Sequence, residues 1–204
     1  MNHISINTRS SIKLTGSKTI YFDPLELTEA PHDADLIFVT HEHYDHFSPE
    51  DLVKVMNPKS QLIVPNSMLE LAQSKGFEVK AIHGIDPGEK VDYGGVICHA
   101  IPSYNIGKQF HPKANNWVGY LVEFDGQTYY AMGDTDVTEE AAKVDADVIF
   151  VPVGGKYTMD ATEAAEFINA KARNLVVPIH YADGQACDTF LKLLKPEIQT
   201  KRFF

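Results

Sequence analysis

The sequence is poor in several features that would decide its class, beginning with long apolar runs. None of them approaches the length of a membrane span. The start, Met1-Asn2-His3-Ile4-Ser5, lacks a basic segment followed by an apolar stretch, so no signal peptide is expected. Cysteine occurs only as Cys98 and Cys187, far apart and in no metal-ligand spacing. Unpaired core thiols in a reducing compartment follow, and with them a cytoplasmic location. Basic residues are also scarce: 18 Lys and Arg stand against 28 Asp and Glu, a formal charge of −10. That balance argues against a polynucleotide or an anionic membrane as partner and leaves a small-molecule substrate. A Gly-x-Ser-x-Gly elbow is missing, and neither cysteine has a basic neighbour, so no nucleophile motif competes for the chemistry. Low-complexity stretches and Pro/Ser-rich linkers are absent too, and residues 1–204 read as one domain. Nothing in the sequence specifies an oligomeric state.

What is present is a dense block of metal-binding side chains, Thr40-His41-Glu42-His43-Tyr44-Asp45-His46. It follows directly on the apolar run Leu36-Ile37-Phe38-Val39. Neutral imidazole and carboxylate are the usual ligands of zinc and its divalent neighbours. On an extended segment residues two apart share a side, so His41 and His43 can reach one metal together. Asp45 and His46 are adjacent and need a turn, which Ser48-Pro49-Glu50-Asp51 supplies as a helix start. Two ligand pairs aimed at two neighbouring metals result. A zincin helix is excluded, because the second histidine would have to stand at Asp45. Two divalent cations would reduce the acidic excess to about −6.

Along the chain, short strands are expected from Ile4 to Phe22, then buried strands at 36–39 and 61–64 and a helix ending at Ser74 before Gly76. Strands are predicted at 77–82 and within 90–102. Asp125-Gly126 marks a hairpin between 117–124 and 127–132. A short helix at 139–143 precedes a buried strand at 148–151. Asp160-Ala161-Thr162-Glu163 has capping-box spacing and opens an alanine-rich helix to about Ala172. A strand at 175–179 ends at His180, and a last amphipathic helix covers roughly 185–194. Asp33-Ala34-Asp35-Leu36-Ile37-Phe38-Val39 returns as Asp145-Ala146-Asp147-Val148-Ile149-Phe150-Val151. This echo suits two related halves in a four-layer α/β arrangement, although two buried strands can resemble each other by chance.

Further ligands are then expected at strand ends. Asp134 stands just past the hairpin in Gly133-Asp134-Thr135-Asp136, and His180 follows 175–179. Each alone also suits a turn residue or a strand-end histidine. As a carboxylate, Asp134 can bridge two cations. Asp23, before Pro24, reads in isolation as a turn former.

The His-x-His-x-Asp-His block, the early Asp23-Pro24, Gly133-Asp134-Thr135 and the late strand ending in His180 together resemble the metallo-β-lactamase-fold hydrolase superfamily. The resemblance runs from Asp23 to His180 and is nearest to the branch of ascorbate-6-phosphate lactonase-like enzymes. It implies an αββα sandwich and two divalent metal ions. By that resemblance His41 and His43 belong to the first metal, Asp45, His46 and His180 to the second, and Asp134 to both. Asp23 is implied as a carboxylate orienting a ligand histidine. One ligand departs from the pattern: Asn105, in Pro102-Ser103-Tyr104-Asn105, stands where the family has a histidine. Asn105 could ligate through its amide oxygen, His111 could swing in from a mobile loop at 109–113, or the first site could be depleted. His111 is the favoured candidate, and His99 reads as a strand residue.

Paired cations acidify a shared water and polarise a carbonyl or phosphoryl oxygen. Asp45, besides ligating, can orient the nucleophile. Lys113 and Lys156 are candidates for holding an anionic group, or else solvated surface lysines. The expected function is metal-dependent hydrolysis, by a metal-bound hydroxide, of a small ester, lactone or phosphoester. The competing readings are a phosphodiesterase acting on nucleotides or nucleic acid, and a non-catalytic metal-binding module. Zinc is favoured, though manganese and iron accept the same ligands.

Overall fold

The apolar runs of the sequence form the middle strands of two sheets. The computed structural model describes residues 3–171, 175–182 and 184–204. Its chain divides into two units, Met1–Asp86 and Pro87–Phe204.

In the first unit, β1 (His3–Ile6), β2 (Ile12–Thr15), β3 (Thr19–Phe22), β4 (Leu36–Phe38), β5 (Gln61–Pro65) and β6 (Ala81–Ile85) lie side by side in sequence order. β1, β2 and β3 form an antiparallel meander, and β3 to β6 run parallel. Parallel neighbours need crossovers: α1 (Pro49–Val55) lies between β4 and β5, α2 (Leu69–Ser74) between β5 and β6, and the segment 23–35 connects β3 to β4. Period-two alternation then sorts β4 and its extension: Ile37 and Val39 join Leu52 and Val55 of α1 and Ala72 of α2 in one core cluster. Leu36 and Phe38, of the other parity, are equally buried, which is why the run is apolar throughout.

The second unit repeats the plan with β7 (Lys90–Asp92), β8 (Ile97–Pro102), β9 (Val118–Phe124), β10 (Gln127–Ala131), β11 (Val148–Pro152), β12 (Leu175–Ile179) and β13 (Gln199–Thr200). β7 to β10 are antiparallel, and β10 to β13 parallel. The crossovers are α3 (Glu139–Lys143), α4 (Ala161–Asn169) and α5 (Gly184–Leu193). Tyr130, Ile149, Val151 and Val176 pack with Ala164, Phe167, Ile168 and Phe190 of those helices. The capping box forms as expected: Asp160 Oδ1 accepts from Thr162 N and Glu163 N, and Glu163 Oε2 accepts from Asp160 N. Asn169 ends α4; the expected helix end at Ala172 lies outside the described residues.

The echo is structural as well as sequential. Asp35 Oδ2 accepts from Thr19 N at 2.8 Å, and Asp147 Oδ2 accepts from Thr128 N at the same distance. Each aspartate carbonyl also accepts from the first residue of the next parallel strand, Gln61 or Leu175. Each unit thus uses its second aspartate to pin a central strand to the neighbours on both sides.

One strand departs from expectation. The run 77–82 becomes a strand only from Ala81, because Phe77 and Val79 are drawn onto the core of the first unit instead. Phe77 meets the Phe47 ring edge-on at 6.3 Å. β13, only two residues long, has no signal in the sequence.

Candidate functional site

In the first unit the histidine block hangs from the end of β4. The turn expected there is closed by His46 N and Phe47 N, both donating to His43 O, and α1 follows with Ser48 as N-cap and Pro49 in the first turn. Asp23, at the end of β3, is buried and takes three hydrogen bonds. Thr40 N donates to Oδ1 at 2.8 Å, while the Thr40 hydroxyl and His46 Nδ1 both lie 2.7 Å from Oδ2. Its backbone is left-handed, at φ +43°, a region that Asp tolerates better than most residues.

Proton counting along this relay assigns the imidazoles. The Thr40 hydroxyl has one proton, and the Asp23 carboxylate takes it. Thr40 Oγ1 therefore accepts from His41 Nδ1, 3.0 Å away. Asp23 likewise requires the His46 proton on Nδ1. Both histidines are left with a basic Nε2, the form in which imidazole binds a metal. His43 brings its Nδ1 to 3.2 Å from His41 Nε2, and the rings of His41 and His46 are 4.0 Å apart. Asp45 Oδ2 lies 4.0 Å from His46 Nε2. The donor set of this unit, buried imidazoles with fixed tautomers beside a carboxylate, fits a divalent cation.

The second unit gathers its own candidates around Asp134. This residue follows Gly133, whose φ of +67° suits glycine, and is 3% exposed. Asp134 Oδ2 lies 3.2 Å from His180 Nε2 and 3.4 Å from His111 Nε2. Both histidines adopt left-handed backbone, with φ of +52° at His180 and +59° at His111. Non-glycine residues in that region are uncommon and collect at functional sites. Gly154 backs His180: a Cβ there would fall 2.3 Å from the His180 carbonyl oxygen. Gly154→Ala is therefore expected to cost about 1–3 kcal/mol and to displace His180. A lowered melting temperature together with reduced metal content would show it.

The segment 103–111 is laced to its neighbours by hydrogen bonds. Tyr104 N donates to Thr135 Oγ1, Ile106 N to Asp136 Oδ2 and Asp136 N to Tyr104 O. Lys108 is paired with Asp136 and donates to Thr158 O at 2.8 Å. His111 is held inward, 2% exposed, against Trp117. Asn105 lies behind it: its Nδ2 donates to Tyr157 O at 2.7 Å and lies 3.4 Å from His111 Nδ1. Of the two residues weighed for the open ligand position, His111 is the one within 3.4 Å of Asp134. The sequence placed it in a loop at 109–113, and the hydrogen bonds of its segment reach residues about 30 to 50 positions away.

The two lysines have other engagements. Lys113 Nζ binds Glu140 Oε1 at 2.9 Å and lies 4.5 Å over the Tyr104 ring, and Lys156 Nζ sits 5.0 Å over Tyr157. The Lys113 hydrogen bond, followed by lesser hydrogen bonds, holds Glu140 down to about 2. His99 is a residue of β8, opposite Lys90. Sequence reasoning missed the roles of Thr40, Lys108, Asp136 and Gly154. Only Thr40, adjacent to the block, and Asp136, inside Gly-Asp-Thr-Asp, carried a local signal.

Residues 7–180 match the family described as the β-lactamase superfamily domain. The chain belongs to the metallo-β-lactamase superfamily. Within this superfamily, a protein named UPF0173 metal-dependent hydrolase from Methanoregula boonei is 30% identical over 192 residues, covering 88% of this chain and 82% of its own. Its namesake from Thermococcus kodakarensis is 32% identical over 184 residues, covering 82% and 79%. A crystal structure from Parabacteroides distasonis, described as a metal-dependent hydrolase, has a TM-score of 0.84 at 25% identity and covers 99% of this chain and 92% of that one. The α/β fold of the metallo-β-lactamase type is thereby established. No helix among the described residues is long and apolar enough to cross a membrane.

Proposed function

We propose that this superfamily member is a dinuclear metal-dependent hydrolase of a small ester, lactone or phosphoester, akin to the ascorbate-6-phosphate lactonase-like branch. Its metal ligands in this reading are His41, His43, Asp45 and His46 of the first unit and His111, Asp134 and His180 of the second. Zinc suits these donors best, with manganese and iron as alternatives. The observation that carries the reading is the Asp23–Thr40 relay, which leaves a basic Nε2 on both His41 and His46. A buried carboxylate with no ligand to orient would gain little from two directed imidazoles. The names of the relatives support the same reaction class.

Divalent cations, when bound, would acidify water and polarise the oxygen of the scissile group. The protein's own part is to fix the imidazoles and to keep Asp45 available to orient the attacking water. Metal analysis joined to a panel of lactones, carboxylic esters and phosphodiesters tests the reading. Two ions per chain with chelator-sensitive turnover support it. One tightly held ion and no turnover across the panel would leave a metal-binding module. His111→Ala should lower the occupancy of one ion, whereas unchanged occupancy would return that position to Asn105 or leave it without a ligand.

A further inference from the structure

We propose that Arg9 is the residue that binds an oxyanion group of the substrate, a phosphate or carboxylate carried beside the scissile bond. The proposal rests on the reading of Asp45 as a group at the reacting centre. Arg9 sits in the turn between β1 and β2 with left-handed backbone, φ +44°. The turn is fastened on every side. Asn7 N donates to Ser11 O and Ser11 N to Thr8 O; Asn7 Nδ2 donates to Leu25 O and Glu26 O, and Ser11 Oγ accepts from Leu25 N. An arginine held in a conformation that L residues avoid, by surroundings that over-determine it, is a mark of functional placement.

From that turn the side chain crosses to the histidine block, where Nη1 donates to Asp45 Oδ2 at 2.8 Å. Asp45 thus fixes one end of the guanidinium. An arginine carries five N–H donors, and among the described residues Arg9 has no other side-chain hydrogen bond. Its side chain is 34% exposed, against 11% for Asp45. Donors therefore remain on a planar fork beside a candidate catalytic carboxylate, in the arrangement that takes an oxyanion in bidentate fashion. The lysines are committed elsewhere: Lys113 to Glu140, Lys156 to the Tyr157 ring and Lys108 to Asp136. In a chain of net charge −10, about −6 with two divalent cations bound, a guanidinium beside the site favours an anionic substrate.

The test uses the metal-loaded protein, with inorganic phosphate and acetate as probes by calorimetric titration. It adds hydrolysis of a neutral ester and of its phosphorylated or carboxylated analogue. Arg9→Ala is expected to weaken phosphate binding at least about tenfold, at equal metal content. Its loss in kcat/KM should be at least about tenfold greater for the anionic ester than for the neutral one, with Arg9→Lys restoring part of both. Loss of acetate binding as well would support a carboxylate group; loss of phosphate binding alone would support a phosphoryl group. Equal losses on the two esters with phosphate affinity unchanged, or affinity that falls only as metal is lost, would overturn the proposal and leave Arg9 as a support for Asp45. Arg9→Gly removes the side chain while relieving the left-handed backbone, and its melting curve separates a binding defect from misfolding. If the unaltered protein hydrolyses neither ester, the hydrolase reading falls, and the phosphate titration still decides on Arg9.

Discussion

Asp134→Ala is expected to strip the protein of metal and to lower hydrolysis by about three orders of magnitude, roughly 4 kcal/mol of transition-state stabilisation. The carboxylate stands within 3.4 Å of the Nε2 atoms of both His111 and His180, so removing it leaves two imidazoles without their common partner. The fold should survive. Asp134 lies past the end of β10, outside the ladder, and its loss vacates a small buried polar site at a cost of about 1–3 kcal/mol. Metal analysis by mass spectrometry, turnover and far-ultraviolet circular dichroism on one preparation would separate these effects. Full metal occupancy in the variant would refute the assignment.

The second large effect is expected at Asp23, which touches no metal in this reading. Asp23→Ala removes the acceptor of three buried donors, Thr40 N–H, the Thr40 hydroxyl and His46 Nδ1–H, and the last keeps Thr40 Oγ1 at 3.2 Å. Each orphaned donor costs about 1–3 kcal/mol, and alanine at a φ of +43° adds about 1–2 kcal/mol more. A drop of roughly 3–8 kcal/mol in unfolding free energy should appear in denaturant titrations. Asp23→Asn is the more discriminating variant. Asparagine tolerates the left-handed backbone and can still accept from Thr40 N. Its amide cannot accept from both Thr40 Oγ1 and His46 Nδ1, so the proton on His46 is free to move to Nε2. Metal affinity is then expected to fall about 10–100-fold with a smaller loss of stability. Affinity equal to that of the unaltered protein, measured by chelator competition, would show that the relay does not set the tautomers.

The two variants probe opposite kinds of information. Asp23 was visible as Asp-Pro at a strand end, where a turn former was the plainer reading. Only the return of β4 beside β3 brings Thr40 and His46 to its carboxylate. Asp134 was visible through the Asp125-Gly126 hairpin that delivers it, because hairpin chemistry is local.

What the sequence determined by itself is the part governed by near neighbours. Alternation and apolar runs marked the central strands, Ser48-Pro49 and Asp160 to Glu163 marked helix starts, and the spacing of His41 to His46 marked the donor block. The tertiary structure decided what depends on distant partners. It turned Phe77 and Val79 from strand into core, and it drew His111 rather than Asn105 to Asp134 through the hydrogen bonds of Thr135, Asp136 and Tyr157. It also brought Arg9 across 36 positions to Asp45. Strand and helix signals arise from backbone sterics and periodic burial within a few residues. A hydrogen bond between side chains far apart in sequence leaves no such trace, because it exists only once the backbone has brought them together.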